Sequence, residues 1–430
     1  MRTEDFDYEL PDEIIAQTPA DPRDSCRLLV LDRLSGALEH RRFGDILDYL
    51  DPGDLLVVNE TRVLPARLRG TRAGGGAAEL LLLKEECDRG PGVLSHCDRG
   101  PGVLSHCTRA TPSPPTGRST DPPSLISELW ECLARPGKRI REGDVLTFGE
   151  GRLTAEVVER RAEGRRLVRL SVAADDTVST ALHALGETPL PPYITQQVDD
   201  PELYQTVYAN ADDEHSAAAP TAGLHFTPEL LAQAQARGVG LAKLRLDVGL
   251  DTFRPVTEDD PTQHVIHTEY YYVPPEAAAA INATRARGGR VIAVGTTVVR
   301  ALESASCDRG PGVLSHVGEG GTGAASDPEH SADGQSFAAA SSEVRVEDVR
   351  GRGSARPTVR STGGPTSLYI LPGFEFQVVD ALITNFHVPR STLMMLVSAF
   401  ASREQILTAY AEAVQRRYRF FSFGDAMLIR

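Results

Sequence analysis

The sequence predicts an α/β protein with a small antiparallel β subdomain. Three observations predict it. Short apolar runs closed by polar residues, RLLVLDR at 27–33 and GDLLVVNETR at 53–62, read as strands. Residues 64–84 and 129–172 carry RLRGT, AAELLLL, LWECLARPG, DVLTFGEG, LTAEVVER and RRLVRLSV, short strands at the spacing of a small antiparallel domain. From residue 176 onward helix and strand signals alternate.

The later elements follow from local chemistry. TPELLAQAQARG is a helix with Thr227 as N-cap, Pro228 at the first helical position and Gly238 as stop signal. PPEAAAAINATRARGG is a helix, RVIAVG a buried strand and TTVVRALESA a second helix. FQVVDALITNF reads as a strand, STLMMLVSAFA as an apolar helix capped by Ser391, and REQILTAYAEAVQRRY as an amphipathic helix. Two stretches, 87–124 and 306–366, are rich in Pro, Ser, Thr, Gly and acidic residues and lack core-forming composition, so both are expected to be disordered inserts. The expected organisation is a main α/β domain over 1–63 and 173–430, holding the 306–366 insert, and a β domain over 64–172, holding the 87–124 insert.

Composition bounds the function. The chain has 430 residues and a formal net charge of −15, which argues against non-specific nucleic-acid binding as a bulk property but not against a local basic patch. No apolar run is long enough to span a bilayer, and the acidic start MRTEDFDYEL lacks a signal-peptide pattern, so a cytoplasmic protein is expected. The decapeptide CDRGPGVLSH occurs at 87–96, 97–106 and 307–316. Cys87, Cys97 and Cys107 stand ten apart rather than in the close pairs of zinc sites, so no metal site is expected. Identical units in two separate loops suggest insertion of a repeated DNA element.

Polar residues gather where strands end. His225 in APTAGLHFTPELL lies two residues before a helix cap, and Gly223 permits a tight turn there. It reads either as a reacting imidazole or as one satisfying loop carbonyls. Gly295, Thr296 and Thr297 stand at a strand–helix turn that suits a phosphate, carboxylate or ribose, though an ordinary βα turn has the same form. Asn385 and His387 end a strand, with Pro389 and Arg390 leading to the Ser391 cap. Three such loops would converge on one crevice of an open α/β sheet. Asn59, Thr61 and Arg62 end another strand; the arginine suits an anion fork or an ion pair fixing the linker. HTEYYYVP at 267–274 reads equally as cross-strand aromatics or as a base-stacking strip. The basic runs RPGKRIR (135–141), RRAEGRR (160–166) and RRYR (416–419) read as phosphate contacts or, more commonly, as solvated faces.

Whole phrases add a resemblance. FDYELPDEIIAQTPADPRDSCRLLVLDR, VVNETRVLPARLRG, YQTVYA, APTAGLHFT, VGLDTFRPV, HTEYYYVP, AVGTT, DALITNFHVPRSTLMMLVSAFA and YRFFSFGDAMLI run in order from residue 6 to 429. They resemble the S-adenosylmethionine:tRNA ribosyltransferase-isomerase family of queuosine biosynthesis. The resemblance implies an α/β domain with an inserted β-barrel. It also implies transfer and isomerisation of the ribosyl part of S-adenosylmethionine onto an aminomethyl-deazaguanine at the tRNA wobble position, with loss of adenine and methionine. S-adenosylmethionine would be a consumed substrate, with no bound cofactor and no metal; tRNA is the partner, and a monomer is expected. On that reading His225 and His387 are the acid–base candidates, with Glu269 and Asp380 behind them. Thr221, Gly223, Gly295, Thr296 and Thr297 would hold the methionine or ribose. Arg62 and Arg254 would pair the methionine carboxylate or a tRNA phosphate, with Asn59 and Thr61 beside them. The family more often has His where this chain has Asp247, so a tRNA-binding homologue with impaired chemistry is one alternative. An S-adenosylmethionine-dependent methyltransferase is another, disfavoured by the absence of a Gly-rich loop after the first strand.

Overall fold

The computed structural model describes residues 1–86, 125–196, 198, 200–212, 214–249, 255–306 and 357–430. The three CDRGPGVLSH units, their cysteines and Arg254 lie outside the described residues. The first half of the chain forms β1 (Arg27–Leu31), β2 (Leu38–Arg42), β3 (Leu55–Asn59), β4 (Arg62–Val63), β5 (Arg67–Arg72), β6 (Ala77–Glu86), β7 (Leu125–Arg135), β8 (Val145–Phe148), β9 (Leu153–Arg160) and β10 (Arg165–Ala173). There follow α1 (Val178–Leu185), β11 (Gly186–Glu187), β12 (Glu214–Ser216), α2 (Pro228–Ala236), β13 (Gly240–Asp247), β14 (Glu269–Val273), α3 (Pro275–Ala286), β15 (Val291–Val294) and α4 (Thr296–Ser304). The chain closes with β16 (Thr362–Thr366), β17 (Ala381–Asn385), α5 (Thr392–Phe400), α6 (Arg403–Gln415) and β18 (Ala426–Ile429).

The large sheet has the strand order β16-β14-β13-β3-β15-β17-β18-β1-β2. Its centre, β13-β3-β15-β17, is parallel, with Leu56 opposite Leu241 on one side and Ile292 on the other. Both faces are covered, which is why these strands read as continuous apolar runs rather than alternating ones. Leu29, Leu31, Leu55 and Val57 pack against the helices α3 to α6. Leu28, Val30, Leu56 and Val58 face the other way, onto α2 and the 3-10 turn Phe43–Tyr49. The caps are those the sequence signals: the Thr227 side chain accepts from Leu230 N, and that of Ser391 from Met394 N.

The second sheet closes into a six-stranded antiparallel barrel. Its order is β5-β6-β7-β10-β9-β8, and β8 returns to β5 through Thr71↔Thr147 and Arg72↔Leu146. Closure requires glycine at 70, where a Cβ would lie 2.3 Å from Thr147 O. Leu68, Leu80, Leu82, Phe148, Val168 and Leu170 fill the interior. The unit runs beyond the expected boundary at 172. Helix α1 buries Val178, Ala181 and Leu182 in the barrel core, and β11 pairs with β5. The expected disorder across 306–366 also needs correction at its end. Thr362–Thr366 forms β16 against β14, so this Gly-rich stretch is ordered by main-chain pairing instead of by its side chains.

Candidate functional site

The carboxyl ends of β13, β3, β15 and β17 share one edge of the sheet, where an open α/β fold forms its crevice. A solvent-open crevice lies there. Thr221, Gly295, Thr296, Thr297, Asn385 and His387 line it, closed on one side by Tyr193, Phe421 and Ser422. Gly295 has φ +100°, a backbone conformation that only glycine adopts without strain, and it turns β15 directly into α4. The opening N–H groups of α4 have no intrahelical acceptor, which leaves them available to a polar ligand.

His225 is held behind the wall and does not line the crevice. Its Nε2 is 3.1 Å from Asn385 Nδ2 and its Nδ1 is 3.3 Å from Cys26 Sγ. Asn385 Nδ2 also donates to the Phe421 carbonyl at 3.1 Å, which fixes the orientation of the amide. The imidazole Nε2 is therefore an acceptor, and Nδ1 carries the proton. Asn385 Oδ1 then accepts from Thr221 Oγ1 at 3.1 Å, carrying the order of the buried ring to the crevice surface. Cys26, His225 and Asn385 have the residue types of a thiol-protease set. Burial drives the Cys26 thiol well above its usual range, so the sulfur is an inert packing atom.

His387 does face the crevice. Tyr410 OH accepts from His387 N at 3.0 Å and stands 3.3 Å from its Nδ1, while Nε2 lies 3.0 Å from Thr384 Oγ1. The hydroxyl proton of Tyr410 thus points to Nδ1, leaving Nε2–H to donate to Thr384. Burial pushes both imidazoles down to about 3, with Arg419 and Arg23 adding to the effect at His225. Both rings are neutral at physiological pH.

The other sequence candidates divide between support and distance. Gly223 stands behind the lining because a Cβ there would lie 1.9 Å from Tyr208 OH. Glu269 is buried between Arg300 Nη1 (2.5 Å) and His267 Nε2 (3.2 Å), beside the crevice and outside its lining. Asp380 Oδ2 accepts from Val291 N, at the start of β17; Asn385 is five residues on, roughly 16 Å along an extended strand. Asn59 and Thr61 tie β3 to β13 through Leu246, with Asn59 Nδ2 donating to its carbonyl at 2.9 Å. Arg62 is the linker ion pair: its guanidinium is shared by Glu202 and Glu214. Thr384, Tyr193, Tyr410 and Ser422 were not legible beforehand. Only ITNFH carried a local signal; Tyr193 and Ser422 reach the crevice from segments 229 residues apart, bonded at 2.7 Å.

Fold and crevice together define an α/β enzyme with an inserted barrel and a neutral, hydroxyl-lined site at the ends of its parallel strands. The chain matches the model of the queuosine biosynthesis protein family over residues 3–429. It is 45% identical over 430 residues to an S-adenosylmethionine:tRNA ribosyltransferase-isomerase of Symbiobacterium thermophilum, spanning 100% of both chains. It is 46% identical over 431 residues to the protein of that name in Moorella thermoacetica, again over 100% of both. A crystal structure of S-adenosylmethionine tRNA ribosyltransferase from Thermotoga maritima is 33% identical, covers 99% of this chain and 100% of its own, and superposes with a TM-score of 0.46. The chain belongs to the S-adenosylmethionine:tRNA ribosyltransferase-isomerase family of queuosine biosynthesis and is an enzyme of the transferase and isomerase type. Among the described residues no helix is long and apolar enough to cross a membrane.

Proposed function

We propose that the crevice binds S-adenosylmethionine as a consumed substrate, with no resident cofactor. There the ribosyl group is transferred to the aminomethyl-deazaguanine of the tRNA wobble position, and the sugar is isomerised to the epoxycyclopentanediol. Adenine and methionine leave. The observation that carries this reading is the convergence of three loops, at 221, 295–297 and 385–387, on one crevice in a chain whose relatives of that name match it end to end.

The residues divide the work. Thr296 and Thr297 supply hydroxyl and N–H donors to the methionine or ribose, and Thr221, whose hydroxyl proton goes to Asn385, offers its oxygen as an acceptor. His387 is the imidazole on the crevice wall, held by Thr384 and Tyr410, and it is assigned the proton transfer at the carbon beside the sulfonium. Being neutral, it keeps one lone pair, on Nδ1, which accepts from Tyr410 OH in the resting site and must be released by that hydroxyl before it takes the substrate proton. His225 is a positioning residue that acts through Asn385 on Thr221.

The test is incubation with S-adenosylmethionine and tRNA bearing the deazaguanine precursor. Release of adenine and methionine in equal amounts is expected. S-adenosylhomocysteine would instead mark a methyltransferase, and binding without products an inert homologue. His387→Ala is expected to lower turnover by about 10²–10⁴-fold with tRNA affinity kept; near-normal turnover removes it from the chemistry.

A further inference from the structure

Two basic runs distant in sequence meet at one end of the barrel. Strands β5, β7 and β9 finish there, and β6, β8 and β10 begin there. The connections to the main domain, at 63–67 and 173–187, are at the opposite end. The turn after β7 carries Arg135, Lys138, Arg139 and Arg141, and Arg160 ends β9 beside it; all are exposed. Arg160 N donates to Glu142 Oε1 at 2.8 Å, which joins the two segments.

This turn is built rather than loose. Ile140, 1% exposed, is sunk in the barrel core. Arg166, 2% exposed, donates to Gly137 O at 2.9 Å and to Gly164 O at 2.9 Å. One buried guanidinium thus holds both basic loops in place and shows its charge to neither face of solvent.

Several exposed arginines elsewhere on this acidic chain sit on carboxylates: Arg2 on Glu4, Arg41 on Glu39, Arg69 on Glu187 and Arg416 on Glu412. The side chains of Arg135, Lys138, Arg139, Arg141 and Arg160 have no such partner among the described residues. The acids of the turn, Glu142 and Asp144, are taken by the backbone N–H groups of Arg160 and Arg141. A local excess of cations over the two carboxylates of the turn, held on an ordered frame in a chain of net charge −15, is the footprint of a polyanion contact.

We propose that this end of the barrel is the docking surface for the phosphodiester backbone of the tRNA substrate. The proposal rests on the tRNA-modifying reading above and assigns the anchoring to charges remote from the crevice. Phosphate contacts of this kind position the nucleic acid without reading its sequence.

The test is the variant Arg135→Gln/Lys138→Gln/Arg139→Gln/Arg141→Gln in the full chain, with tRNA affinity measured across a salt series. At physiological salt the Kd and the KM for tRNA are expected to rise tenfold or more, and the slope of log K against log salt to flatten by about 3, near 0.7–0.9 for each lost contact. The kcat at saturating tRNA and the KM for S-adenosylmethionine stay at wild-type values. A matched control, Arg2→Gln/Arg41→Gln/Arg69→Gln/Arg416→Gln, leaves affinity and slope unchanged. Wild-type affinity and slope in the first variant, or an equal loss in the control, overturns the docking surface. Failure of the wild-type protein to release adenine sinks the functional reading instead, so the two failures are distinguishable.

Discussion

Lowering the pH from 7 to 5 should remove a large part of the folding stability, and the two buried imidazoles set how much. His225 is 4% exposed and His387 7% exposed. Burial lowers each from an ordinary value of 6.5 to about 3. Above pH 6.5 both rings are neutral in the folded and the unfolded chain, and the stability is complete. As the pH falls through 6.5 the unfolded chain takes up protons that the folded chain refuses, so stability is lost through the window from 6.5 towards 3. Between pH 7 and pH 5 this is about 2 kcal/mol per ring and about 4 kcal/mol for the pair, against a total of roughly 5–15 kcal/mol for a domain. His40 is shifted in the same direction by partial burial, with Arg416 adding to it. Carboxylates enter mainly below pH 5. The assay is urea unfolding at pH 7, 6 and 5, with m checked for constancy. His225→Gln should remove about 2 kcal/mol of the acid loss. A loss below about 1 kcal/mol in the wild type, or an undiminished loss in His225→Gln, refutes the reasoning.

Two further outcomes follow from packing. Gly223→Ala places a methyl group 1.9 Å from Tyr208 OH and 2.9 Å from Thr206 Cγ2, so a destabilisation of about 1–3 kcal/mol and a lower Tm are expected, measured by thermal unfolding. Arg300→Met leaves the Glu269 carboxylate buried without its cation, with an expected loss of about 3–5 kcal/mol; Arg300→Met/Glu269→Gln should recover much of it, and a double-mutant cycle in urea checks both.

The class of fold was legible in the sequence because both kinds of strand announce themselves. LLVV at 55–58 is apolar throughout because both faces of the parallel sheet are covered. The barrel strands alternate because one face looks inward; in β9, Leu153, Ala155 and Val157 are buried and their neighbours are not. Helix ends were legible too, since capping is local chemistry between residues three apart, as at Thr227 and Ser391. Glycine at 295 and the hydroxyls after it marked the turn into α4.

Tertiary structure decided what those residues do. His225 and His387 look alike in sequence, each in a loop beside a helix cap. One is sealed behind Asn385 and the other opens on the crevice, a difference set by β17 and α6 and by the segment that carries Phe421. Arg62 reads as an anion fork until Glu202 and Glu214, some 140 and 152 residues away, are seen to occupy it. The basic run at 135–141 reads as an ordinary solvated face until Arg166 is found fastening it. Capping, propensity and strand period act over a few residues and are written locally. Burial, charge pairing and proton affinity depend on what long-range folding places within about 4 Å, and no short stretch of sequence carries that.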